Sequence, residues 1–367
     1  MPGAKTDTIK LNIGPQHPST HGVLYIKAEL DGEIVKNAEP QLGYLHRAIE
    51  KLSENRYYHQ ALPAVDRCDY LCPNLNELVY CMAVEKLAGI KVAERAEYIR
   101  VIMAELHRIT GHMVWAGSLV NDLGAMFTPL LYSVRDREKL LDLVEKISGS
   151  RMFPNYNRFG GVKLDIPEGW LQDVLNYIDI QEKNLVDFRN LVESEIFDVR
   201  TKGVAKLTTK QAINFGLTGP LLRATGFDWD LRRDEPYSIY DRFDFNVITE
   251  KDGDLRAIYN VRIAEVTESF KIIRQAVKDI PAGPICNKVP SPLRPDKGDC
   301  YVRIESSKGE LGVYLVSDGS DKPYRLKLRT PSFCNLRAVQ ELVKDYKLAD
   351  LIAIVGSIDI VLGDVDR

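Results

Sequence analysis

Two histidines in one short loop are the first residues of this chain that could do chemistry. His17 and His21 lie in the nine-residue stretch 14–22, which also holds two prolines and two glycines. That composition excludes a regular helix or a long strand, so we predict a tight loop between two strands. Imidazole titrates near neutral pH, and the pair therefore suggests proton chemistry or a ligand. Judged on spacing alone, one His that caps a turn and one that is solvated are the commoner arrangement.

A second polar cluster, residues 66–73, surrounds Tyr70 with acids, a cation and two cysteines just before a predicted helix. A tyrosine beside acids and a cation can be a positioned proton donor. A tyrosine packed at a helix start, with its hydroxyl bonded to the backbone, is the more frequent case. The cluster therefore leaves both interpretations open.

Three more polar residues carry a structural and a functional interpretation. Asp122 lies near the end of a long apolar helix, where a carboxylate facing water and a buried, partnered one are equally compatible with the pattern. His46 fits a satisfied surface histidine, and Arg47 a solvated or paired cation. The chain has no phosphate-binding loop, no GxGxxG after a strand and no GxSxG elbow. The residues alone thus indicate a soluble α+β protein whose His/Tyr/Asp constellation has no assigned use.

Composition narrows the class of protein. The 367 residues are 45% hydrophobic and 28% charged, as in ordinary globular proteins, and allow one large domain or two or three small ones. A net charge of −3 gives no basis for nucleic-acid binding. No secretory signal precedes residue 10, and Asp350 and Asp359 interrupt the apolar segment 348–362, so we expect no membrane span in it.

The six cysteines form no paired CxxC sets, since Cys68 and Cys72 are four positions apart and Cys81 stands alone. That spacing argues against a zinc ribbon and against an iron–sulfur cluster ligated by this chain alone. With no export signal, we interpret them as reduced cytosolic thiols.

Hydrophobic periodicity predicts a small sheet, a helical core and a second sheet region. Residues 8–45 alternate as antiparallel strands, with a hairpin turn at Asp31-Gly32. Apolar residues at helical spacing predict helices over 74–87, 93–123, 136–147, 167–195, 209–215 and 255–280. After a proline-rich linker at 281–295, we predict strands over 301–315 and 324–328, a turn at 317–321 and a closing helix over 336–348.

With no internal repeat and no low-complexity block, we expect one intertwined α+β domain over residues 1–367. Its parts are an N-terminal sheet region (1–55), a helical core (56–280) and a C-terminal α+β region (281–367).

Several segments together resemble the 49-kDa-type (D-type) subunit of respiratory complex I, the NADH–quinone oxidoreductase. The matching segments occur in the same order along essentially the whole chain: 14–22, 43–47, 66–71, 83–87, 122–126, 216–224, 302–306, 309–312 and 356–359. The resemblance implies an α+β fold with a small N-terminal antiparallel sheet, a central bundle of long helices and a C-terminal β-hairpin region. That fold is similar to the large subunit of nickel–iron hydrogenases.

In those hydrogenases two CxxC pairs hold the metal. The equivalent positions here are Asp69, Cys72, Val361 and Asp364, so a single thiolate remains where four are needed. The ligand count therefore argues against hydrogenase chemistry and favours the quinone-reducing family.

The resemblance assigns roles to four residues. His21 and Tyr70 match the pair that hydrogen-bonds the quinone headgroup and donates protons as quinone becomes quinol. Asp122 matches the acid that pairs with this histidine, raises its pKa and links its protonation to the membrane arm. Arg47 matches the arginine beside the terminal tetranuclear iron–sulfur cluster of the neighbouring B-type subunit, so this chain is expected to ligate no metal and to need no cofactor of its own.

The resemblance also implies the setting of the chain. We expect a peripheral-arm component of a proton-translocating enzyme, on the cytoplasmic side of the cell inner membrane, with the B-, C- and I-type subunits and the H-type membrane subunit of complex I as partners. One alternative is the homologous component of a ferredoxin- or F420-linked quinone or phenazine oxidoreductase, because electron input lies on other subunits. Another is a non-catalytic scaffold, which predicts that Tyr70 and His21 can be changed without loss of turnover.

One departure from the family pattern concerns the quinone. Many members carry a histidine near the cluster, and Phe153 falls at that position here. Losing a titratable group there is expected to remove proton-coupled tuning of the cluster potential. The hypothesis that follows is a low-potential quinone such as menaquinone, and a cluster potential that rises steeply as pH falls would count against it.

Overall fold

In the part of the chain that the structure describes, two three-stranded antiparallel sheets pack with a bundle of long helices. The computed structural model describes residues 8–16, 22–124 and 127–367. The strands are β1 (Ile9–Ile13), β2 (Tyr25–Asp31), β3 (Ile34–Gln41), β4 (Asn157–Arg158), β5 (Gly161–Val162), β6 (Gly298–Ser306), β7 (Gly309–Ser317) and β8 (Arg325–Arg329). The longer helices are α3 (Pro73–Ala88), α4 (Glu94–Asp122), α5 (Thr128–Ser148), α6 (Trp170–Val192), α11 (Leu255–Asp279) and α14 (Leu348–Ser357).

Shorter helices connect these elements. They are α1 (Ile49–Glu54), α2 (Tyr58–Val65), α7 (Glu195–Thr201), α8 (Thr209–Phe215), α9 (Pro220–Arg223), α10 (Leu231–Asp234), α12 (Pro331–Leu336), α13 (Val339–Leu342) and α15 (Leu362–Asp366). The α+β fold class inferred from the sequence is confirmed. The division into one domain with three regions stays a prediction.

The N-terminal sheet has the order β1-β2-β3, with Ile13 opposite Ile26. Its β2–β3 turn contains Gly32 at φ +63°, as the predicted Asp-Gly signal requires. The strands on both sides of the two-histidine loop are therefore where we expected them. His17 and His21 themselves lie outside the described residues.

Helix α4 forms the centre of the bundle and packs against α5, α11 and α14. Two glycines allow close contacts along it. A Cβ atom at Gly117 would lie 2.9 Å from the Leu130 Cα atom of α5, so the two helices come into close contact there. A Cβ atom at Gly111 would instead lie 2.7 Å from the Cys72 sulfur and 2.8 Å from the Ser307 hydroxyl. At Gly111, α4 therefore contacts the loop that ends at Cys72 and the turn that contains Ser307, rather than a second helix.

The C-terminal sheet corrects one prediction. The run 301–315 is not one strand, because the chain folds back at Ser307-Lys308 and pairs Ser306 of β6 with Gly309 of β7. This turn is buried: a Cβ atom at Gly219 would overlap the Gly309 Cα atom, and the Glu310 amide donates to the Thr218 hydroxyl at 3.0 Å. Segment 216–224 therefore packs directly against the tip of the β6–β7 hairpin.

The predicted closing helix over 336–348 is also wrong. That stretch contains only the short α13, and the longer helix α14 begins at Leu348. The reason is tertiary pairing with the start of β3 and the turn before it: the Asp345 amide donates to the Val35 carbonyl, and the Leu348 amide to the Glu33 carbonyl, both at 2.9 Å. Asp345 adopts φ +64° to make this pairing. Among the helices that the structure describes, none has the length and apolar composition needed to cross a membrane.

The packing of segment 216–224 against the hairpin tip predicts different stability costs for alanine substitutions at two nearby glycines. Gly216 and Gly219 both have positive φ, but a Cβ atom at Gly216 meets nothing within 4 Å. We expect Gly216→Ala to cost roughly 1 kcal/mol of unfolding free energy from the left-handed backbone alone. Gly219→Ala is expected to cost about 3 kcal/mol or more, because the backbones must also separate. Urea unfolding of the two purified variants measures both values, and equal costs would contradict this packing.

Candidate functional site

Tyr70 lies in a turn between α2 and α3 that the Asp69 side chain shapes. Asp69 Oδ1 accepts hydrogen bonds from the amides of Leu71 at 3.1 Å and Cys72 at 3.3 Å. Side-chain-to-backbone bonds of this kind are typical of Asp in tight turns. Pro73 then begins α3, where its missing N–H costs nothing. The backbone around Tyr70 is thus held in place, and the Tyr70 side chain is half-buried.

The other oxygen of Asp69 holds a buried lysine. Lys308, in the β6–β7 turn, is 0% exposed, and its Nζ atom lies 2.9 Å from Asp69 Oδ2 and 3.8 Å from Asp359 Oδ2. Burial acts to lower the pKa of this ammonium, but the two carboxylates outweigh burial and hold the pKa above its usual value. Lys308 therefore stays charged, and its ion pair connects it to Asp69, which lies 239 positions earlier in the chain.

The charges around Tyr70 oppose one another. Burial raises the pKa of the phenol, Asp69 and Asp359 raise it further, and Lys308 and Arg47 lower it. The net shift is upward, so Tyr70 is a neutral phenol with a proton to give at physiological pH. Lys308 and Arg47 offset part of the cost of giving up this proton, and a strongly basic acceptor oxygen has to supply the rest.

Arg47 and the C-terminal segment pack directly against the Tyr70 turn. Arg47 Nη2 donates to the Arg67 carbonyl at 2.8 Å and to the Gly363 carbonyl at 3.4 Å. A Cβ atom at Gly363 would lie 2.6 Å from the Cys68 carbonyl oxygen, so this approach needs a glycine. Next to it, the Leu362 side chain meets Gly22, where a Cβ atom would lie 3.3 Å from Leu362 Cδ2. The end of the histidine-bearing loop thus reaches the same place.

Asp366 fixes the segment that leads to Arg47. Its carboxylate accepts from the amides of Gly43 at 2.9 Å and Leu45 at 2.7 Å, and its carbonyl lies 2.7 Å from His46 Nδ1. His46 is exposed, which agrees with its interpretation as a satisfied surface histidine. The 43–47 segment is therefore a loop held in shape by the C-terminus.

Asp122 lies apart from Tyr70. It is the half-buried last residue of α4, eleven positions after Gly111, the point where α4 meets the Tyr70 turn. At 1.5 Å per residue this places it about 16 Å further along the helix axis. Among the described residues, Tyr70 and Arg47 therefore lie at one site, and Asp122 lies further along α4.

The positions equivalent to hydrogenase metal ligands have other partners here. The Cys72 thiol lies 3.2 Å from the His107 carbonyl and 3.3 Å from the Ser307 hydroxyl, and burial raises its pKa to about 11. Asp69 is held by Lys308, and Val361 offers no ligand atom. Burial, and then Asp69, raise the pKa of the fourth residue, Asp364, to about 7. Within the described ranges, no group of three or more His, Cys, Asp or Glu side chains could hold a metal ion.

A chain of buried ion pairs leads from Lys308 into the bundle. Asp359 adopts φ +59°, and its carboxylate lies 2.7 Å from Arg262, which stacks on Trp115. Arg262 is 3.4 Å from Nδ1 of neutral His112, whose pKa burial lowers to about 4. Further buried contacts follow: His112–Glu265, Glu265–Arg223, Arg223–Glu305, Arg223–Asp230, Asp230–Arg232, Arg232–Glu105 and Glu105–Arg108. Each buried charge in this chain has an opposite partner, as burial requires.

Comparison with known proteins identifies the family of this chain. The sequence profile of the family described as respiratory-chain NADH dehydrogenase, 49 Kd subunit, matches residues 122–297 and 288–367. The chain belongs to this family. The D subunit of the NADH-quinone oxidoreductase of Dehalococcoides mccartyi is 53% identical over 364 residues, which cover 99% of both chains. The same-named proteins of Clostridium beijerinckii (51%, 99% of this chain and 98% of the relative) and Geobacillus thermodenitrificans (49%, 99% of both) are similar to it over the full length.

Membership of the 49-kDa family makes this chain a component of respiratory complex I, an NADH–quinone oxidoreductase. The family resemblance drawn from the sequence is therefore confirmed. Partners among the other subunits of that complex follow from the membership.

Sequence reasoning missed three residues that build the site. Lys308, Asp359 and Asp366 all reach the Tyr70 region from the last 60 positions of the chain, as their bonds to Asp69, Lys308 and the 43–45 amides show. A lysine between two alternating strand segments was the available signal for Lys308, since a charge there marks either a turn or a buried pair. Asp359 and Asp366 gave no local signal.

The raised pKa of Asp364 predicts a pH dependence of stability. An acid whose folded pKa is about 7, against a usual 3.8, contributes stability that is complete below pH 4 and lost as pH rises to about 7. The side chain in the Asp364→Asn variant cannot ionise. We therefore expect the free energy of unfolding of this variant to exceed that of the parent by up to a few kcal/mol as pH rises from 4 to 8. Urea unfolding across this range, with exposed Asp252→Asn as control, measures the effect. Parallel stability curves for parent and Asp364→Asn would show that Asp364 does not carry the proton.

Proposed function

We propose that this chain forms, together with the B-type subunit of complex I, the site where quinone is reduced to quinol, and that Tyr70 donates a proton to the quinone headgroup. The observation that carries the proposal is the neutral, half-buried phenol of Tyr70 in a turn fixed by Asp69 and Lys308. Reduction places negative charge on the two headgroup oxygens, and a fixed donor aimed at such an oxygen stabilises that charge.

His21 is the proposed donor to the second headgroup oxygen. Support comes from the packing of Gly22 on Leu362, because Gly363 in turn touches the Cys68 carbonyl, two residues before Tyr70. Asp122 is the proposed partner of His21, which it would hold in its protonated form. The headgroup thus gains one proton from the phenol and one from the imidazole, and each O–H or N–H bond that breaks is replaced by an O–H bond on the quinol.

Arg47 marks the proposed electron-input side. The tetranuclear iron–sulfur cluster that the family implies on the B-type neighbour would supply the electrons. Arg47 is held by the Arg67 and Gly363 carbonyls, and Arg67 stacks on Phe153 with 4.8 Å between the guanidinium carbon and the ring centre. Two guanidinium groups on one edge of the Tyr70 turn fit a negatively charged cluster across an interface.

The proposed setting is the peripheral arm of a proton-translocating enzyme, on the cytoplasmic side of the inner membrane. The B-, C- and I-type subunits and the H-type membrane subunit are the proposed neighbours. The membrane subunits would provide the anchor, and protonation changes at His21 and Asp122 would link quinone reduction to translocation.

Tyr70→Phe is the direct test. Removing the hydroxyl alone is expected to lower quinone reduction by NADH in membranes at least 100-fold, since a positioned acid contributes 10²–10⁴-fold. NADH oxidation by an artificial acceptor that bypasses the quinone should be unchanged. Tyr324→Phe, at a 67% exposed tyrosine, is the matched control.

The outcomes separate the alternatives. Unchanged quinone reduction in an assembled Tyr70→Phe complex would make Tyr70 structural and favour the scaffold. If NADH supports neither reaction in the parent membranes, the electron donor is a different carrier, such as ferredoxin or F420.

Menaquinone is the proposed quinone. Phe153 lies against Arg67 at the proposed cluster edge and cannot titrate, so the cluster would have no proton-coupled rise in potential from this position. A cluster of low potential suits a low-potential acceptor. We expect a redox titration of the cluster to give a potential nearly independent of pH between 6 and 8.

Phe153→His is expected to introduce a pH-dependent potential, because protonated imidazole stabilises a reduced cluster. Phe215→His, at a half-buried phenylalanine of α8 on another part of the chain, serves as the control. A steep pH dependence in the parent enzyme, or turnover with ubiquinone alone, would contradict the menaquinone proposal.

A further inference from the structure

Lys308 is buried at a place where a lysine is costly. It sits in a two-residue hairpin turn, and such turns normally lie at the surface. Here the tip is enclosed: the Asn335 side chain donates to the Lys308 carbonyl at 3.1 Å, and Gly219 makes backbone contact with Gly309. Taking an ammonium out of water is costly, and a well-packed apolar pair of similar volume is often as stable as a buried ion pair or more stable. Stability alone therefore gives a weak reason for a lysine at this position.

The polar groups recorded around the ammonium come from the Tyr70 neighbourhood, and they include Asp364 of α15, whose pKa Lys308 lowers and Asp69 raises. Asp69 and the Cys72 thiol come from the α2–α3 turn, Ser307 Oγ from the hairpin at 3.5 Å, and Asp359 from the end of α14. Beyond Asp359, Arg262 of α11 completes the group. Two cations, Lys308 and Arg262, face two anions, Asp69 and Asp359, and Asp364 nearby has a pKa of about 7. Loss of the Tyr70 proton adds one negative charge to this set.

We propose that Lys308 is a positioning and charge-compensating residue for Tyr70: it holds the Asp69 carboxylate that shapes the Tyr70 turn, and its ammonium stabilises the tyrosinate left after proton donation. This inference rests on the proposed function of Tyr70. The phenol O–H bond breaks, an O–H bond forms on the quinone oxygen, and the electrons come from the iron–sulfur cluster implied on the B-type neighbour. The negative charge that remains on Tyr70 is attracted by the Lys308 ammonium until the phenol regains a proton from solvent.

A purely structural role makes a different prediction. If Lys308 only neutralises the buried Asp69, then removing both charges together should restore normal turnover. Asp69→Asn keeps an oxygen that can accept from the Leu71 and Cys72 amides, so the turn retains its hydrogen bonds. Lys308→Met keeps the length of the side chain without its charge. The double variant Asp69→Asn/Lys308→Met therefore preserves shape and removes only the ion pair.

The experiment uses the assembled complex in membranes. We compare NADH–quinone turnover from pH 6 to 9 in four forms: the parent, Lys308→Met, Asp69→Asn and the double variant. The artificial-acceptor reaction measures assembly. Lys36→Met, which removes an exposed ion pair with Asp345, is the control. If the double variant fails to assemble, Asp69→Asn/Lys308→Gln gives the same comparison with a neutral hydrogen-bond donor.

We expect the double variant to assemble, to keep the parent KM for quinone and to lose roughly 10- to 100-fold in kcat, because a charge aimed at the developing anion is missing. Asp69→Asn alone retains the ammonium and should keep most of the parent kcat. The alkaline limb of its pH profile should shift to lower pH, because the Asp69 carboxylate no longer offsets the ammonium. Parent-like kcat and pH profile in the double variant would overturn the role of Lys308. If Tyr70→Phe itself turns over normally, the proposed function fails instead, whatever the lysine variants do.

Discussion

The contact between the Lys308 ammonium and the Asp69 carboxylate ties together the parts of this protein that matter for its chemistry. It joins the C-terminal hairpin to the turn that carries Tyr70, 2.9 Å apart and out of water. A charge buried this deeply is tolerable only with its partner in place. The hairpin tip, the Tyr70 turn and the end of α14 must therefore fold as one unit.

Helix α4 supplies the platform on which that unit rests. Gly111 lets both Cys72 and Ser307 lie directly on the helix, so the Tyr70 turn and the Lys308 turn meet over one point of it. The same helix carries His112, Glu105 and Arg108 into the buried ion-pair chain. The C-terminal segment closes the site from the other side through Gly363 and Asp366. The arrangement resembles a metal centre in its concentration of polar groups, but a lysine provides the positive charge.

The sequence was sufficient for elements whose signals are local. Helices α4 and α11 have apolar residues at helical spacing, and α3 has Pro73 at its start and Gly89 after its end. The turn at Ser307-Lys308 was missed because alternation continues across it without an Asn-Gly or Asp-Gly signal. The 336–348 helix failed because long-range pairing with Val35 and Glu33 overrode local propensity.

The same division holds for the site. Residue types and spacing drew attention to all four predicted site residues, and the family resemblance gave them their roles. The groups that set the electrostatics of Tyr70 come from positions up to 289 residues further along the chain, as with Asp359. No local pattern announces such partners, since a lone lysine or aspartate is usually a solvated surface residue.

A cryo-EM structure of the assembled complex with quinone bound is the most direct measurement of the central claim. We expect one headgroup oxygen at hydrogen-bonding distance from the Tyr70 hydroxyl, about 2.7 Å, with Lys308 still on Asp69 behind it. A headgroup bound away from Tyr70, with the tyrosine hydroxyl engaged by protein atoms instead, would contradict the assignment of this turn as the proton-donating part of the site.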